Sequence, residues 1–599
     1  MNRVVIYSFY DKDGQVDHYV YYMLKALQAI AGRIVFIANG ALLLEHQNKL
    51  IDMGIEPVVR NNEGFDAWAY RAGIRLIGYD ALKDYDDLVL TNNSVFGPTN
   101  SLSELFLTME DDSRDKPDLW GITAHKESHA SIYATKNRYG YLPAYIPMYF
   151  ISIRKSLLSS DDFKDYWEKL PLMEEYWDAV YLHEAVFTKH FADLGYKWDS
   201  YVHSDKLEEL CDNPMIFYPL ELIRDYKCPV IKRRAFFHEY DDTLVKTIGK
   251  GAVVLQDYLE TTKVYDMDMI WENLLRTRDY NELFNQLHLN YTLSLKLSDS
   301  ENLVKVREHL KTNRAAAIIH VYFEDLLEET STYIDNIPKE VDIYITTSKP
   351  EIKEYFEKRK NAPTVHMIQN RGRDVSAILV AMKDVVCSGK YEYIFFGHDK
   401  KASQNDGALG EGFSYKCWEN TLGSETFIYN ILEKFISNSR LGILCPPEPN
   451  HGAYSPSVGN AWGAKDNFEL TCKLAKELEL TVPVSWDSQP IAPYGSFFWF
   501  RAKALEGLYK KNWSYEDFPP EPLPEDGTIS HAIERIRPYV AQQAGYYTAY
   551  VMNDEYARIE YTNLHFYLAQ IQKTCADNGI RYMHEHLITY FKEHVNTQE

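Results

Sequence analysis

QNRGRDVSAILVAMKDV (Gln369 to Val385) is followed after a short break by YEYIFFGHDKKAS (Tyr391 to Ser403). The first segment reads as a tight turn, Asn370-Arg371-Gly372-Arg373, feeding a helix, with Asp374 where an N-cap belongs. The second reads as a buried strand, Tyr-Ile-Phe-Phe, stopping at His398-Asp399-Lys400-Lys401. Open α/β sheets bind ligands at the C-terminal ends of their strands. This pairing therefore suggests a nucleotide-diphosphate site, with Arg373 for phosphate and Asp399 for a divalent cation.

The pattern occurs twice. RNNEGFDAWAYRAGI (Arg60 to Ile74) precedes YDDLVLTNNSVFGP (Tyr85 to Pro98). Asn62 matches Asn370, Gly64 matches Gly372, Asp66 matches Asp374, and Asn92-Asn93 falls where His398-Asp399 stands. We read this as duplication of a whole domain, the copies differing where charge matters most.

The surrounding sequence supports that reading. Val4 to Tyr7 and Arg33 to Ala38 are apolar runs with strand character, and Tyr19 to Ile30 and Leu42 to Met53 are helical, with a strand near Pro57 to Arg60. Alternation of this kind predicts a mainly parallel sheet with crossover helices. Ala315 to Phe323, Val341 to Ser348 and Thr364 to Asn370 restart the series. YGSFFWFRAKAL echoes MYFISIRKSLL, setting Arg501 opposite Arg154. The expected plan is a domain over 1–265, a charged helical connector over 266–312 and a second domain over 313–599, with Tyr550 to His594 as C-terminal helix.

Composition narrows the function. The 599 residues exceed one hydrophobic core. The 45% hydrophobic and 25% charged fractions are those of an ordinary globular protein, and the 46 tyrosines suit sugar faces as well as cores. A net charge of −23 argues against a nucleic-acid partner. Seven scattered cysteines without a CxxC argue against zinc and for a reducing cytoplasm. The N-terminal stretch has no signal-peptide character, and no apolar run approaches the roughly 20 residues that span a bilayer. A soluble or at most peripheral protein is expected. No Walker A sequence or paired-metal carboxylate cluster points to an ATPase or nuclease.

For acid–base chemistry the candidates are Asp526, Glu521, Glu525 and Glu534, around a proline-rich acidic loop leading into a helix. Activating a sugar hydroxyl needs one carboxylate within hydrogen-bond reach, and Asp526 is the first choice. His531 and Glu534, three apart on one helical face, could simply bond each other. Asp374 is either a cap alone or a cap that also holds a ribose or base hydroxyl, since a carboxylate competes with phosphate for helix N-terminal amides. Glu184 occupies a similar place after Arg154, although a surface helix carboxylate explains it as well. Lys232 and Arg233 read equally as a diphosphate contact or a solvated edge.

With these residues in hand, the sequence resembles the rhamnan synthesis protein F family of bacterial cell-wall polysaccharide glycosyltransferases. The matching features are VDHYVYYMLKAL, NNEGFDAWAY with LTNNSVFGP, NRGRD with HDKK, GSFFWFR, and DGTISHAIER. The resemblance implies two GT-A-like domains that transfer L-rhamnose from dTDP-β-L-rhamnose, with inversion, to a lipid-linked glycan at the inner face of the cell membrane, alongside other polysaccharide-assembly enzymes. It implies that Asn370, Arg373, Asp374, His398 and Asp399 hold donor and a Mg or Mn ion, with Asp526 as base and Glu534 as the other catalytic candidate. Gly372, Lys400, Arg501 and His531 complete the expected substrate site. In the first copy Asn62, Gly64, Asp66, Asn92 and Asn93 would line the donor site, with Glu184 as base. Asn92-Asn93-Ser94 carries no carboxylate, which puts metal binding by the first domain in doubt. The rival readings are another nucleotide-deoxysugar donor, or a glycan-binding assembly protein without catalysis.

Overall fold

The computed structural model describes residues 2–111, 116–129, 137–359, 362–401, 407–520, 522 and 526–580. The chain forms two compact units, Met1–Asn273 and Leu274–Glu599.

In the first unit the strands are β1 (Arg3–Phe9), β2 (Arg33–Asn39), β3 (Glu56–Arg60), β4 (Asp87–Asn92), β5 (Val95–Phe96), β6 (Leu119–Gly121), β7 (Phe150–Arg154), β8 (Trp198–Ser200) and β9 (Ile231–Lys232). Seven of them make one sheet in the order β3-β2-β1-β4-β7-β6-β8, and β5 pairs with β9. The first four run parallel and β7 runs against both neighbours. Every residue of β1 and of β4 is buried, as expected for central strands covered on both faces. The helix Phe65–Ile77 lays Ala67, Tyr70 and Ile74 into a core with Val4, Ile6, Val35 and Leu90.

The second unit holds β10 (Asn290–Leu293), β11 (Arg314–His320), β12 (Val341–Thr347), β13 (Thr364–Met367), β14 (Tyr391–His398), β15 (Leu441–Cys445), β16 (Phe498–Arg501) and β17 (Tyr547–Asn553). Its sheet runs β10-β17-β15-β16-β14-β11-β12-β13. Read from β13, this is the first unit's order with the same directions, β16 standing for the antiparallel β7. The registers agree as well. Arg154 lies opposite Asp87 at the start of β4, and Arg501 lies opposite Tyr393 near the start of β14.

Two expectations need correction. The stretch read as a helical connector contains β10, which extends the second sheet in parallel with β17. Its four residues are too short, and too polar on their exposed positions, to show as a strand in the sequence. The segment from Tyr550 likewise begins as the end of β17, and the helix starts only at Asp554. The sequence over Tyr550–Asn553 is apolar at both periods, so periodicity alone does not separate the two.

Candidate functional site

The turn that opens each motif helix has the same backbone in both units. Gly64 and Gly372 are left-handed, at φ 67° and 78°, and each caps its helix. The next residues, Phe65 and Arg373, are left-handed too, at φ 54° and 50°. A non-glycine residue there stores backbone strain, which recurs where function needs it. Glycine itself is required. A Cβ on Gly64 would lie 2.3 Å from the Trp68 ring, and one on Gly372 would lie 2.6 Å from Phe518. Asp374 is therefore not the N-cap; it follows the cap, inside the first turn, and its carboxylate is turned into the unit.

In the first unit Asp66 accepts hydrogen bonds from the Ala67 N–H and the Asn92 side-chain amide, both at 2.9 Å. Burial pushes its carboxyl up, against the pull of Lys232 and of those two donors. Glu184 ends a π-helical turn, Ala179–Glu184, a local form frequent at functional sites. Its Oε1 accepts the Met148 N–H at 2.8 Å. Burial raises its carboxyl to about 7, Lys232 opposing and Asp66 adding to the rise. Lys232 donates to the Ser94 hydroxyl at 3.1 Å, and burial lowers its own value.

The second unit repeats this arrangement with different polar groups. Gly495 stands at the same interval before Arg501 as Met148 before Arg154, and its N–H donates to Glu534 Oε2 at 2.9 Å. Glu534 is thus the positional equivalent of Glu184. His398, the counterpart of Asn92, has its two ring nitrogens 2.8 Å and 2.9 Å from the carbonyls of Asp399 and Gly495. The ring is thereby held between those two carbonyls. It lies 3.9 Å from Asp374. Arg537 is buried, donates to the Ser496 hydroxyl at 3.2 Å and lies over the Phe498 ring. Burial pushes Asp374 up, yet His398, Arg537, Ser496 and His320 together hold its carboxyl below the ordinary value. The two aspartates share a backbone position and shift in opposite directions.

Asp399, the expected cation ligand, is bonded to the backbone at the end of β11. Its carboxylate accepts the N–H of Tyr322 at 2.9 Å and of Phe323 at 2.6 Å, and it is 3% exposed. Asn93, its counterpart, meets the equivalent Tyr10 backbone with its neutral amide, accepting at 3.4 Å and donating at 2.9 Å. Among the described residues no three His, Cys, Asp or Glu side chains converge on one point. The Asp399 carboxylate is occupied by two backbone N–H groups, and no step is derived through a cation.

The remaining expected site residues divide. Lys400 approaches Gly495 and sits over the Phe413 ring. Asn62, Asn370 and Arg373 are exposed beside the two turns. Arg501 is at the opposite edge of its sheet, bonded to the Leu441 and Phe435 carbonyls and to Glu392; it anchors the fold. His531 bonds Thr528 in a capping box rather than Glu534. Asp526 accepts the Asn467 amide at 2.7 Å; burial raises its carboxyl, but Asn467, the Gly527 N–H, His531 and Arg535 leave it below the ordinary range. Glu521 and Glu525 lie outside the described residues. Sequence reasoning missed Arg537, although its place three after Glu534 in ERIR was a usable sign. It also missed His320, a lone polar end to an apolar strand.

Among the described residues, no helix is long and apolar enough to cross a membrane. The family model described as Rhamnan synthesis protein F matches residues 34–546 of the chain. The uncharacterized protein WxcX from two strains of Xanthomonas campestris pv. campestris is 25% identical over 225 residues. That match takes in 37% of this chain and only 30% of those relatives' length. Among solved structures, glycosyltransferase GlyE of Streptococcus pneumoniae TIGR4 is 12% identical, with 68% of this chain and 93% of that one covered and a TM-score of 0.22. A CMP:2-keto-3-deoxy-manno-octonic acid synthetase complexed with CTP is 11% identical, with 33% and 89% covered and a TM-score of 0.21. Likeness at that level transfers neither donor nor reaction.

Proposed function

We propose that this chain, which belongs to the rhamnan synthesis protein F family, is a glycosyltransferase of polysaccharide synthesis with one site in each unit. The observation that carries the reading is the register-matched pair Glu184 and Glu534. Each accepts a backbone N–H at the strand edge where ligands bind in open α/β sheets, and each lies near an aspartate set by a left-handed turn.

The transfer is inverting. The carboxylate of Glu184 or Glu534 takes the proton of an acceptor hydroxyl. That oxygen forms the new bond to the anomeric carbon as the bond to the phosphate oxygen breaks, and the nucleoside diphosphate leaves with the electron pair. A single base suffices for this displacement. Glu534 is preferred to Asp526 because its carboxylate matches Glu184 in position, whereas Asp526 is held below the ordinary carboxylate range. Asp66 and Asp374 orient donor hydroxyls, each kept in place by the side chain ending the neighbouring strand, Asn92 or His398.

The donor is dTDP-β-L-rhamnose and the acceptor a lipid-linked glycan, met by a cytoplasmic protein at the inner membrane face. Family membership supports this choice. The test is acceptor-dependent release of dTDP from dTDP-β-L-rhamnose, beside a panel of other nucleotide-deoxysugars. Release from another donor alone would replace rhamnose, and release from none would sink the transferase reading.

A further inference from the structure

The first unit carries a group of aromatic rings next to Glu184 that the reaction as derived does not use. Tyr176 and Trp177 are 55% and 42% exposed. Phe65, from the strained turn, meets Tyr176 edge-on at 6.4 Å, Tyr176 meets Trp177 at 5.2 Å, and Trp177 stacks on Tyr181 at 5.7 Å and 14°. The Tyr176 phenol is raised by burial and by the carboxylates of Glu184 and Asp66, with Arg234 opposing as its hydrogen-bond partner. The rings are therefore continuous with the polar centre.

They are also held in place before anything binds. Glu175 caps the short helix in a capping box with Asp178, whose carboxylate accepts the N–H of Glu174 and of Glu175. Phe65 is fixed by the turn whose glycine cannot be replaced. Scattered exposed aromatics are normal on a protein surface, whereas a contiguous exposed set marks an interaction site. Tyr and Trp present a wide apolar face at low entropic cost, with a polar tip for hydroxyls. A pyranose ring has the matching form, with C–H bonds on its faces and hydroxyls around its rim.

Resting on the glycosyltransferase reading, we propose that Tyr176 and Trp177 form a stacking platform for a neutral pyranoside ring of the acceptor glycan, delivering a hydroxyl to Glu184. The rings provide area and orientation, and the carboxylates and Arg234 read the rim.

The test is calorimetric titration of the full chain with an α-L-rhamnose-terminated trisaccharide, without donor. Wild type should bind it, Trp177→Ala and Tyr176→Ala should weaken binding at least fivefold, and Trp177→Phe should recover most of the loss. Trp486→Ala, which removes an exposed tryptophan in the other unit, should bind as wild type. Equal binding by Trp177→Ala and Tyr176→Ala, or no binding by wild type, overturns the platform. Donor turnover measured on the same samples separates the two ideas. Trisaccharide binding through Trp177 without turnover of any donor would sink the transferase reading and leave the platform standing. Turnover with binding indifferent to these rings would do the reverse.

Discussion

In the first unit Asp66 and Glu184 share Lys232, whereas in the second Asp374 and Glu534 have both Arg537 and the His398 ring nearby. Burial and a neighbouring carboxylate both favour the protonated form of a carboxyl, and a nearby cation opposes them. Glu184, raised to about 7 by burial, is protonated below that value and cannot then accept a proton. With the second site silenced by Glu534→Gln, acceptor-dependent kcat/KM should therefore rise with pH through about 7, as a pH–rate profile will read. A flat profile across that range would remove Glu184 from the reaction. Arg537→Leu removes a buried counter-charge from Glu534 and Asp374, so the pH dependence of the second site should move upward. Breaking a buried charge set in this way costs about 3–5 kcal/mol, so the folded fraction should be measured by circular dichroism alongside. Asp399→Asn bears on the expected metal role. Because the first unit meets the same backbone with a neutral asparagine, that variant should fold and retain most of its transfer activity. Loss of transfer that added Mn²⁺ or Mg²⁺ partly restores would reinstate a cation at this position.

At the scale of the element, the left-handed pair Gly64-Phe65 or Gly372-Arg373 aims the aspartate. Gly372→Ala brings a Cβ within 2.6 Å of the Phe518 ring and forces a positive φ on alanine. The expected cost is about 1–3 kcal/mol, read as a lowered urea midpoint, with greater loss of activity than of stability because Asp374 moves. A variant as active as wild type would show that the turn does not position the site. These turns were legible in the sequence, because glycine and asparagine before a polar-led helix leave few other readings. So were the alternating strands and the repeat, since buried parallel strands are written as unbroken apolar runs. The direction of side chains was not. Asp374 looked like a cap because carboxylates favour that position, and only the backbone shows that the glycine takes it. Arg501 entered the expected site through the GSFFWFR match. Antiparallel β16 puts it on the far edge of the sheet. Asp526 is the first choice on the sequence, and the hydrogen bond from Gly495 to Glu534, matched by that from Met148 to Glu184, argues for Glu534 instead.

For the whole molecule, two sheets of the same order and direction mean that each unit has its own strand edge, turn aspartate and facing glutamate. The copies have kept the frame and changed the charges: Asn92 against His398, Asn93 against Asp399, Lys232 on a strand against Arg537 on a helix. The central claim is that Glu184 and Glu534 are equivalent bases, and it is tested most directly by dTDP release from dTDP-β-L-rhamnose with a rhamnose-terminated acceptor. Wild type, Glu184→Gln, Glu534→Gln and the double variant should be compared under one set of conditions. If both are bases, each single variant loses one share of the release by about 10²-fold or more in that site, and the double variant falls to the acceptor-independent background. Full release by the double variant, or its loss in Asp526→Asn instead, would contradict the assignment.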